Sequence, residues 1–466
     1  MKAIVGVVLG VLLSTGCCWA RVHVDKILNS PALKGAITGC VVERLGDKHI
    51  MYQQNADLRL MPASNRKLYT TAAVLGLLGP DYTITTPVLS ATSPDAAGTI
   101  NGDIYLKGAG DSLLTTADLD DLAKSMVSAG VKKVTGGVVG DGSAFEDGPY
   151  GTNWGWDTLN DDYAPAITGL DINDGIVDID VKPGASAGIP VAYAVDPPNH
   201  VQPIVDQAVT VDQGGKDTVS AAHPWRKDVI VLRGNMPLGG HTHIKIPVAD
   251  PVLLAADLFR SALLKAGISV EGDAWTALTP STASTVVASH KSAPMSTYIA
   301  SMNKPSDNLV AESLVRVIGV EKGGHGDYDT GDAAELAYFK SIGLDTSVLT
   351  LDDGSGVSRR DYVTARSIVD LLAYESTQPY FSSFRDSLPV AGVDGTLRHR
   401  LKGTAAEGNL RAKTGTLTAA ASLSGYFTGK SGKVYAFSLL MNNFPATATD
   451  VRSIQDEAVV HLIDSL

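Results

Sequence analysis

Hydrophobic and polar positions follow three successive patterns along the 466-residue chain, and the first covers its beginning. Residues 34–60 contain two short apolar runs on either side of a Gly-Asp turn, which predicts a β-hairpin. Residues 63–79 place apolar side chains at helical spacing and end at a Gly-Pro pair, which predicts a helix. The beginning of the chain is therefore predicted to be a hairpin followed by a helix.

The second pattern, from about residue 81 to residue 285, consists of short β-like runs separated by Gly, Asp and Pro. Two amphipathic stretches interrupt it and predict helices at 118–129 and 251–266. The stretch 165–247 is almost wholly β-like. It is therefore predicted to be a sub-domain nested within a larger insert.

The third pattern, after residue 290, is helical and then rich in strands. Helices are predicted at 295–301, 307–319, 331–342, 364–374 and 449–463, and strands at 409–414, 419–428 and 434–442. A helix-and-sheet unit is thus begun, interrupted and completed, which predicts an α+β fold with an inserted region. The predicted domains are an outer unit (21–84 and 286–466), an insert (85–164 and 248–285) and a nested third domain (165–247).

Composition supports a globular chain and excludes some partners. The length allows two to four domains at about 150 residues each, with 44% hydrophobic and 19% charged residues. A formal net charge of −12 argues against nucleic acid or anionic lipid as the main partner.

The first twenty residues have the pattern of an export signal. Lys2 precedes an apolar run at 4–13, and small residues lead to a predicted cleavage after Ala20. A lipoprotein cut before Cys17 is the alternative, although Ser14 is a poor residue three places upstream. No later segment reaches about 18 uninterrupted apolar residues. We therefore expect an exported, periplasmic or extracytoplasmic protein with at most peripheral membrane association.

Three short motifs occur in order along the chain. They are Ser64-Asn65-Arg66-Lys67, Ser306-Asp307-Asn308 and Lys413-Thr414-Gly415. Each is weak evidence alone, because patterns this short recur by chance. As an ordered set they resemble the signature of the penicillin-binding proteins and class A β-lactamases, which work through a serine acyl-enzyme.

The spacing of Ser64 and Lys67 suits a nucleophile and its base. At the start of a helix, residues i and i+3 share one face, so the two side chains lie within reach of each other. A lysine acts as a base only if its pKa falls, which burial and a nearby cation such as Lys413 would bring about. The alternative is an N-capping serine beside a surface lysine.

The second motif precedes a predicted helix, where Asp307 is expected to act as a cap. Functionally, Ser306 would relay a proton between Lys67 and the leaving amine, because an amide nitrogen leaves poorly unless it is protonated. Asn308 would hold Lys67 and the substrate amide.

The third motif lies in a predicted strand. Lys413 and Thr414 are expected to bind the terminal carboxylate of a substrate, and Gly415 to let the substrate backbone approach closely. The backbone N–H groups of Ser64 and Thr416 would then form an oxyanion hole. An exposed lysine on an edge strand is the alternative interpretation.

Other candidate sites are poorer, and we predict neither a metal nor a cofactor. His241-Thr242-His243 has metal-like spacing, but strand alternation explains it and no acidic or cysteine partner is evident. Residues 108–111 lack the lysine of a phosphate-binding loop, and 171–175 lack the closing glutamate of a calcium loop. Cys40, within an apolar segment, is expected to be a buried small side chain rather than a nucleophile.

Nearly the whole mature chain resembles the class C low-molecular-mass penicillin-binding proteins, which are D-Ala-D-Ala carboxypeptidases and endopeptidases. Besides the three motifs, the resemblance rests on Met61-Pro62-Ala63-Ser64, Gly108-Ala109-Gly110-Asp111, Met302-Asn303-Lys304, Asp353-Gly354-Ser355-Gly356-Val357-Ser358-Arg359, Val393-Asp394-Gly395-Thr396-Leu397 and the long gap between Ser64 and Ser306. It implies a transpeptidase-like core, a five-stranded antiparallel sheet flanked by helices, with the insert forming two further domains.

The resemblance also implies a pocket for peptidoglycan stem peptides. An acidic residue near a tryptophan of the insert binds the amino end of a diaminopimelate side chain in relatives, and Asp157 is the candidate here, with Thr158 as the alternative. Arg359 and Leu417 match other positions of the pocket wall.

The expected function is release of D-alanine from peptidoglycan stem peptides through an acyl-enzyme on Ser64, with β-lactams as covalent inhibitors. Endopeptidase action by the same residues stays open, as does a β-lactamase. A non-catalytic wall-binding protein is the remaining alternative. A decayed site should have lost at least one of its residues, and all five are intact: Ser64, Lys67, Ser306, Asn308 and Lys413.

Overall fold

The computed structural model describes residues 23–224 and 229–466. The predicted signal segment, with Cys17, Cys18 and the cleavage after Ala20, lies outside the described residues. Within these two ranges, no helix has the length and apolar character needed to cross a bilayer.

The described strands follow in chain order. They are β1 (Ile37–Arg44), β2 (His49–Gln54), β3 (Thr85–Ser90), β4 (Thr99–Ile100), β5 (Ile104–Lys107), β6 (Lys133–Val134), β7 (Val138–Asp141), β8 (Ile176–Lys182), β9 (Ala192–Asp196), β10 (Ile204–Asp206), β11 (Val209–Val211), β12 (Ser220–Ala222), β13 (Ile230–Arg233), β14 (Asn235–Pro237), β15 (Thr242–Pro247), β16 (Ser269–Val270), β17 (Ala274–Thr276), β18 (Thr285–Lys291), β19 (Arg411–Leu417), β20 (Ala420–Thr428) and β21 (Val434–Asn442).

The described α-helices confirm every helix that the sequence predicts. They are α1 (Arg66–Leu77), α2 (Thr116–Ser128), α3 (Pro251–Lys265), α4 (Met295–Asn303), α5 (Asn308–Gly323), α6 (Tyr328–Ser341), α7 (Ala365–Glu375), α8 (Phe381–Ser387) and α9 (Ala448–Ser465). The seven-residue α8 was not predicted, because its polar sequence has little apolar periodicity. Residues 23–28 form a further helical segment.

One five-stranded antiparallel sheet joins the two ends of the chain. Its strand order is β19-β20-β21-β1-β2, so the N-terminal hairpin pairs with strands formed more than 350 residues later. Successive residues of β1 point to opposite faces, and Val41 packs into a different core from Cys40 and Val42. The sheet is therefore buried on both faces, which confirms the predicted core architecture.

Helices cover both faces of this sheet. Helix α9 and the segment 23–28 pack on one face, and α1, α4, α5 and α7 contribute to the core on the other. Cys40 is buried, as expected, and burial raises the pKa of its thiol to about 12. The burial of Cys40 confirms the predicted small buried side chain, and a thiol that burial holds in its protonated form is a poor nucleophile.

The insert forms its own sheets. A five-stranded sheet has the order β17-β7-β5-β3-β18, and a small sheet has the order β16-β6-β4. Strand β18 pairs with β3 through Lys291, so the sheet of the insert extends past the predicted boundary at residue 285. The boundary was placed too early because membership of β18 in this sheet is decided by its pairing with β3, which the local sequence does not reveal.

A third group of short strands lies within the predicted range 165–247. It contains a sheet of order β15-β8-β9, a sheet of order β10-β13-β12 and the pair β11-β14. Side chains of these strands share one hydrophobic core with α2 and α3, so the nested strands pack directly on the rest of the insert.

Candidate active site

Ser64 lies in a tight turn that the central sheet holds in place. The turn Ala63–Asn65 immediately precedes α1, and Ala63 has φ 46°, a conformation that costs about 1–3 kcal/mol in a non-glycine residue. The side chain of Asn442, at the end of β21, accepts a hydrogen bond from Met61 N at 2.8 Å and donates one to Met61 O at 3.1 Å. The strained turn is thus fixed by a strand from the other end of the chain.

Lys67 is buried beside the nucleophile, as predicted. Its Nζ lies 3.3 Å from Ser64 Oγ, and it donates to Asn308 Oδ1 at 2.6 Å and to Ser355 O at 2.8 Å. Burial lowers the pKa of Lys67 to about 8, although nearby carboxylates oppose the shift. A substantial fraction of this amine is therefore neutral near physiological pH, as a general base requires.

Ser306 and Lys413 form a second contact pair. Lys413 Nζ donates to Ser306 Oγ at 2.8 Å and to Thr414 O at 2.9 Å, and the lysine is fully buried. Burial and the nearby Lys67 lower the pKa of Lys413 well below its usual range. Lys413 therefore faces the proposed proton relay, and the structure gives it no exposed surface with which to meet the carboxylate of a substrate.

Asn308 connects the base to the insert. While its Oδ1 accepts from Lys67, its Nδ2 donates to Tyr163 O at 2.7 Å. The backbone of the insert thereby orients the amide that holds the lysine. Asp307 caps α5 by accepting from Val310 N at 3.0 Å, as predicted.

Two buried carboxylates hold the loop that supplies the carbonyl of Ser355. Glu312 accepts from Gly354 N at 2.9 Å and Ser355 N at 2.8 Å. Asp353 accepts from Gly356 N at 2.6 Å and from Trp154 Nε1 at 3.0 Å. Sequence reasoning assigned neither acid a role. The signal for Glu312 was its place one helical turn after Asn308, on the same face of α5.

Strand β19 forms one wall of a cleft of about 360 Å³. The cleft is lined by Ser64, Ser306, Thr396, Arg400, Thr414, Gly415, Thr416 and Arg452. Because β19 is the edge strand, it offers unpaired backbone groups to an extended peptide. Thr396, Arg400 and Arg452 were not predicted, since they lie outside the three motifs.

Gly415 is required for a reason that differs from the predicted one. A Cβ at this position would lie 2.2 Å from Ser422 Oγ, 2.8 Å from Pro62 O and 2.8 Å from Ser64 N. The glycine therefore lets β19 pack against the turn that carries the nucleophile, whereas the prediction was an approach by the substrate backbone.

Of the predicted specificity residues, Arg359 and Leu417 lie at the end of β19, whereas Asp157 does not line the cleft. Arg359 donates from Nη1 to Thr418 O at 3.0 Å, next to Leu417 at the end of β19. Asp157 is exposed in the turn Trp156–Thr158 and is not among the residues that line the cleft. Its loop is tied to the site through Trp154, so its role stays a prediction.

The interpretation that the pair His241 and His243 lacks an acidic partner is wrong. The neighbouring strand β8 supplies acidic partners, since His243 Nε2 lies 3.0 Å from Asp178 Oδ1 and His241 pairs with Asp180. Strand pairing brings these residues together across more than sixty positions, which sequence spacing does not reveal.

A different group has the spacing of metal ligands. In the described ranges, Glu146, His325 and Asp327 bring one ligand atom each to within 4.8 Å of the others. Asp327 already caps α6 by accepting from Thr330 N at 2.7 Å, and none of the three lines the cleft beside Ser64.

Comparison with known proteins places the chain in a family. The sequence model of the D-Ala-D-Ala carboxypeptidase 3 (S13) family matches residues 20–465. The D-alanyl-D-alanine carboxypeptidase of Actinomadura sp. (strain R39) is 34% identical over 458 residues, covering 95% of this chain and 84% of that protein. The D-alanyl-D-alanine carboxypeptidase DacB of Haemophilus influenzae is 25% identical over 444 residues, covering 91% of this chain and 89% of that protein.

Solved structures show the same fold. Penicillin-binding protein 4 (dacB) from Haemophilus influenzae superposes with a TM-score of 0.83 at 23% identity, covering 94% of this chain and 98% of that chain. The same protein complexed with a novel β-lactam gives a TM-score of 0.79 at 22% identity, with the same coverage.

Proposed function

This chain belongs to the D-Ala-D-Ala carboxypeptidase 3 (S13) family, and from that premise we propose how its own residues carry out the reaction. It is a serine-type D-Ala-D-Ala carboxypeptidase that acts on peptidoglycan stem peptides and is acylated by β-lactams. The single observation that carries the assignment of residues is the buried Lys67 Nζ, 3.3 Å from Ser64 Oγ.

The first step forms the acyl-enzyme. Neutral Lys67 takes the proton of Ser64 as Oγ attacks the carbonyl carbon of the penultimate D-Ala. The negative charge that develops on the carbonyl oxygen is held by the backbone N–H groups of Ser64 and Thr416. Their positions support this role, because Ser64 N lies close to the edge strand that carries Thr416.

The second step expels the terminal D-Ala. Its nitrogen needs a proton before the C–N bond breaks, and Ser306, which lines the cleft, accepts a hydrogen bond from Lys413 Nζ at 2.8 Å. The proton held on Lys67 passes through the hydroxyl of Ser306 to the amine. Water, deprotonated by the same base, then hydrolyses the ester on Ser64 and restores the enzyme.

We propose that this reaction takes place outside the cytoplasm, where peptidoglycan stem peptides are found, after removal of residues 1–20. The edge position of β19 also favours a second activity, cleavage of cross-linked peptides by the same residues, because an edge strand does not limit the length of a bound chain.

Product analysis tests the proposed function. Purified enzyme is expected to convert a pentapeptide stem into tetrapeptide with one D-Ala released per turnover, and preincubation with penicillin is expected to stop this release. Amino-acid analysis and mass spectrometry of the products measure it. Parallel incubation with cross-linked dimers measures the endopeptidase activity. Rapid nitrocefin turnover without D-Ala release would contradict the assignment and favour a β-lactamase.

The pH dependence of the reaction tests the role of Lys67. The base is the neutral amine, and burial lowers its pKa to about 8. Below that pH most of the lysine is protonated and inactive, so kcat/KM for D-Ala release is expected to rise with pH and to level off above about 8. Initial rates between pH 6 and 10 measure this profile. A profile that falls across the same range would contradict Lys67 as the base.

A further inference from the structure

Lys67 becomes a buried cation when it takes the proton of Ser64. Its Nζ donates to two neutral acceptors, Asn308 Oδ1 at 2.6 Å and Ser355 O at 2.8 Å. A buried charge is costly unless an opposite charge compensates it. The proposed reaction therefore needs a negative charge close to Lys67 that these two contacts do not supply.

Asp353 binds the far side of the peptide group whose carbonyl faces Lys67. A trans peptide is planar, so the C=O of Ser355 and the N–H of Gly356 belong to one rigid unit and point in opposite directions. The C=O accepts from Lys67 Nζ at 2.8 Å, and the N–H donates to Asp353 Oδ1 at 2.6 Å. A single peptide group thus lies between the lysine and a carboxylate.

The side chain of Asp353 has the hydrogen bonds of an ionised carboxylate. It is fully buried, and its Oδ2 accepts from Ser358 N at 2.7 Å and from Trp154 Nε1 at 3.0 Å. Both oxygens therefore act as acceptors for N–H groups, which suits the negatively charged form. Hydrogen bonds to a charged group are stronger than neutral ones, so Asp353 polarises the peptide that it binds.

Glu312 adds a second carboxylate to the same stretch of backbone. Its two oxygens accept from Gly354 N at 2.9 Å and from Ser355 N at 2.8 Å. Burial and the charge of Asp353 raise the pKa of Glu312 to about 7, so this acid is mostly ionised near pH 8, where Lys67 titrates. The N–H groups of three consecutive residues therefore point at carboxylates.

The same peptide is packed against the turn that carries the nucleophile. Gly356 has φ 84°, and a Cβ at this position would lie 1.9 Å from Ala63 O and 3.0 Å from Arg66 Cβ. Only glycine allows so close an approach. The peptide therefore cannot turn away from Lys67 without disturbing the position of Ser64.

We propose that Asp353, together with Glu312, is the counter-charge of Lys67 and acts on it through the intervening backbone; this inference rests on the proposed function. Negative charge on the N–H side of a peptide strengthens its carbonyl as an acceptor, which stabilises the ammonium that forms as Ser64 attacks. The two acids are positioning residues, because each acts through backbone groups. They do for a lysine base what a buried aspartate does for the histidine of a serine triad.

The charges around Lys67 are consistent with this role. Burial lowers the pKa of Lys67 to about 8, and the charge of Asp353 is the strongest influence that opposes this fall, followed by that of Glu312. Removing either charge is therefore expected to lower the pKa of Lys67 further. The charged groups that act on Lys67 from the elements packed around it are Asp353, Glu312, Asp307, Arg66 and Lys413.

The test is the pH profile of acylation by penicillin, measured as a second-order rate from pH 6 to pH 10. Asp353→Asn keeps the size of the side chain but removes its charge. We expect this variant to acylate about 10- to 100-fold more slowly at pH 9, because the ammonium on Lys67 loses its compensation. We expect the rise of its rate to move to lower pH by about one unit, so the loss is smaller at pH 6. Glu312→Gln is expected to move the profile in the same direction.

Asp352→Asn is the matched control, because it removes a charge from the same loop. The carboxylate of Asp352 accepts from Asn153 Nδ2 at 2.9 Å and from Ser358 Oγ at 2.5 Å, whereas the peptide that faces Lys67 is bound by its neighbour. The profile of this variant should therefore rise at the same pH as that of the wild type.

Two results would overturn the inference and leave the acyl-enzyme mechanism intact. They are an Asp353→Asn profile that rises at the pH of the wild type, and a rate lowered by one factor at every pH, as a purely structural role would produce. If thermal unfolding shows that Asp353→Asn does not fold, Glu312→Gln decides by the same criteria. A wild-type enzyme that takes no label from penicillin would instead overturn the proposed function, and this inference with it.

Discussion

Replacing Ser64 by alanine is expected to abolish D-Ala release and all covalent labelling by a fluorescent penicillin. Removal of a nucleophile of this kind lowers kcat by about 10⁴-fold or more, because the reaction has no other group with which to form the ester. The surrounding turn should persist, since it is held by Asn442 and not by the Ser64 hydroxyl. Release of D-Ala, gel fluorescence and intact mass after incubation with penicillin measure the result.

Ser281→Ala is the matched control for this experiment, because Ser281 is an exposed serine on the insert. That variant should label and turn over like the wild type. A penicillin adduct on the Ser64→Ala protein would place the nucleophile elsewhere and contradict the proposed mechanism at its first step.

The second large effect is expected at Lys67. Lys67→Met removes the base while keeping an unbranched side chain in the buried site, and Lys67→Arg keeps a charge that is not lost at any ordinary pH. Loss of a general base costs about 10²- to 10⁴-fold, so both variants should acylate at rates lower by that factor. The second-order rate of acylation by penicillin measures the effect directly, without the deacylation step.

Lys402→Ala serves as control, because Lys402 is exposed and takes no part in the proposed reaction. The Lys67→Met variant is also expected to lose the rise of rate near pH 8. If the variant acylates slowly but keeps that rise, another group must supply the base.

The periodicity of the sequence predicted the helices and strands well because the spacing of apolar residues within each element depends on that element alone. The hairpin around Gly46 and the helix after Ser64 lie where apolar spacing and turn residues placed them. The predicted end of the insert, residue 285, is too early because the local sequence of β18 does not indicate which sheet the strand joins. Its membership is decided by pairing with Thr85–Ser90, two hundred residues earlier.

The site was predicted to the extent that its residues lie in motifs. Ser64, Lys67, Ser306, Asn308 and Lys413 converge as the ordered motifs indicated. The sequence did not show which group each of these side chains points toward. Whether Lys413 faces the substrate or Ser306 depends on burial, which the sequence of an edge strand leaves open.

Residues that act from outside the motifs were missed for a physical reason. Tyr163 contributes only a backbone carbonyl, which any residue would supply, so its side chain carries no signal. Arg452 lies on an amphipathic helix whose polar positions all look alike in sequence. Only the packing of α9 beside β19 distinguishes it from an ordinary surface arginine.

The pairing of β1 with β21 also has a consequence for biogenesis. The strand beside the N-terminal hairpin is formed by residues 434–442, and the side chain of Asn442 closes the turn that carries Ser64. A nascent chain that has already emerged with Ser64 and Lys67 therefore lacks the scaffold that shapes them until almost all of the polypeptide is available. Fragments cut anywhere before Asn442 should be unable to react with penicillin, because reactivity requires the C-terminal strand as well as the residues of the motifs.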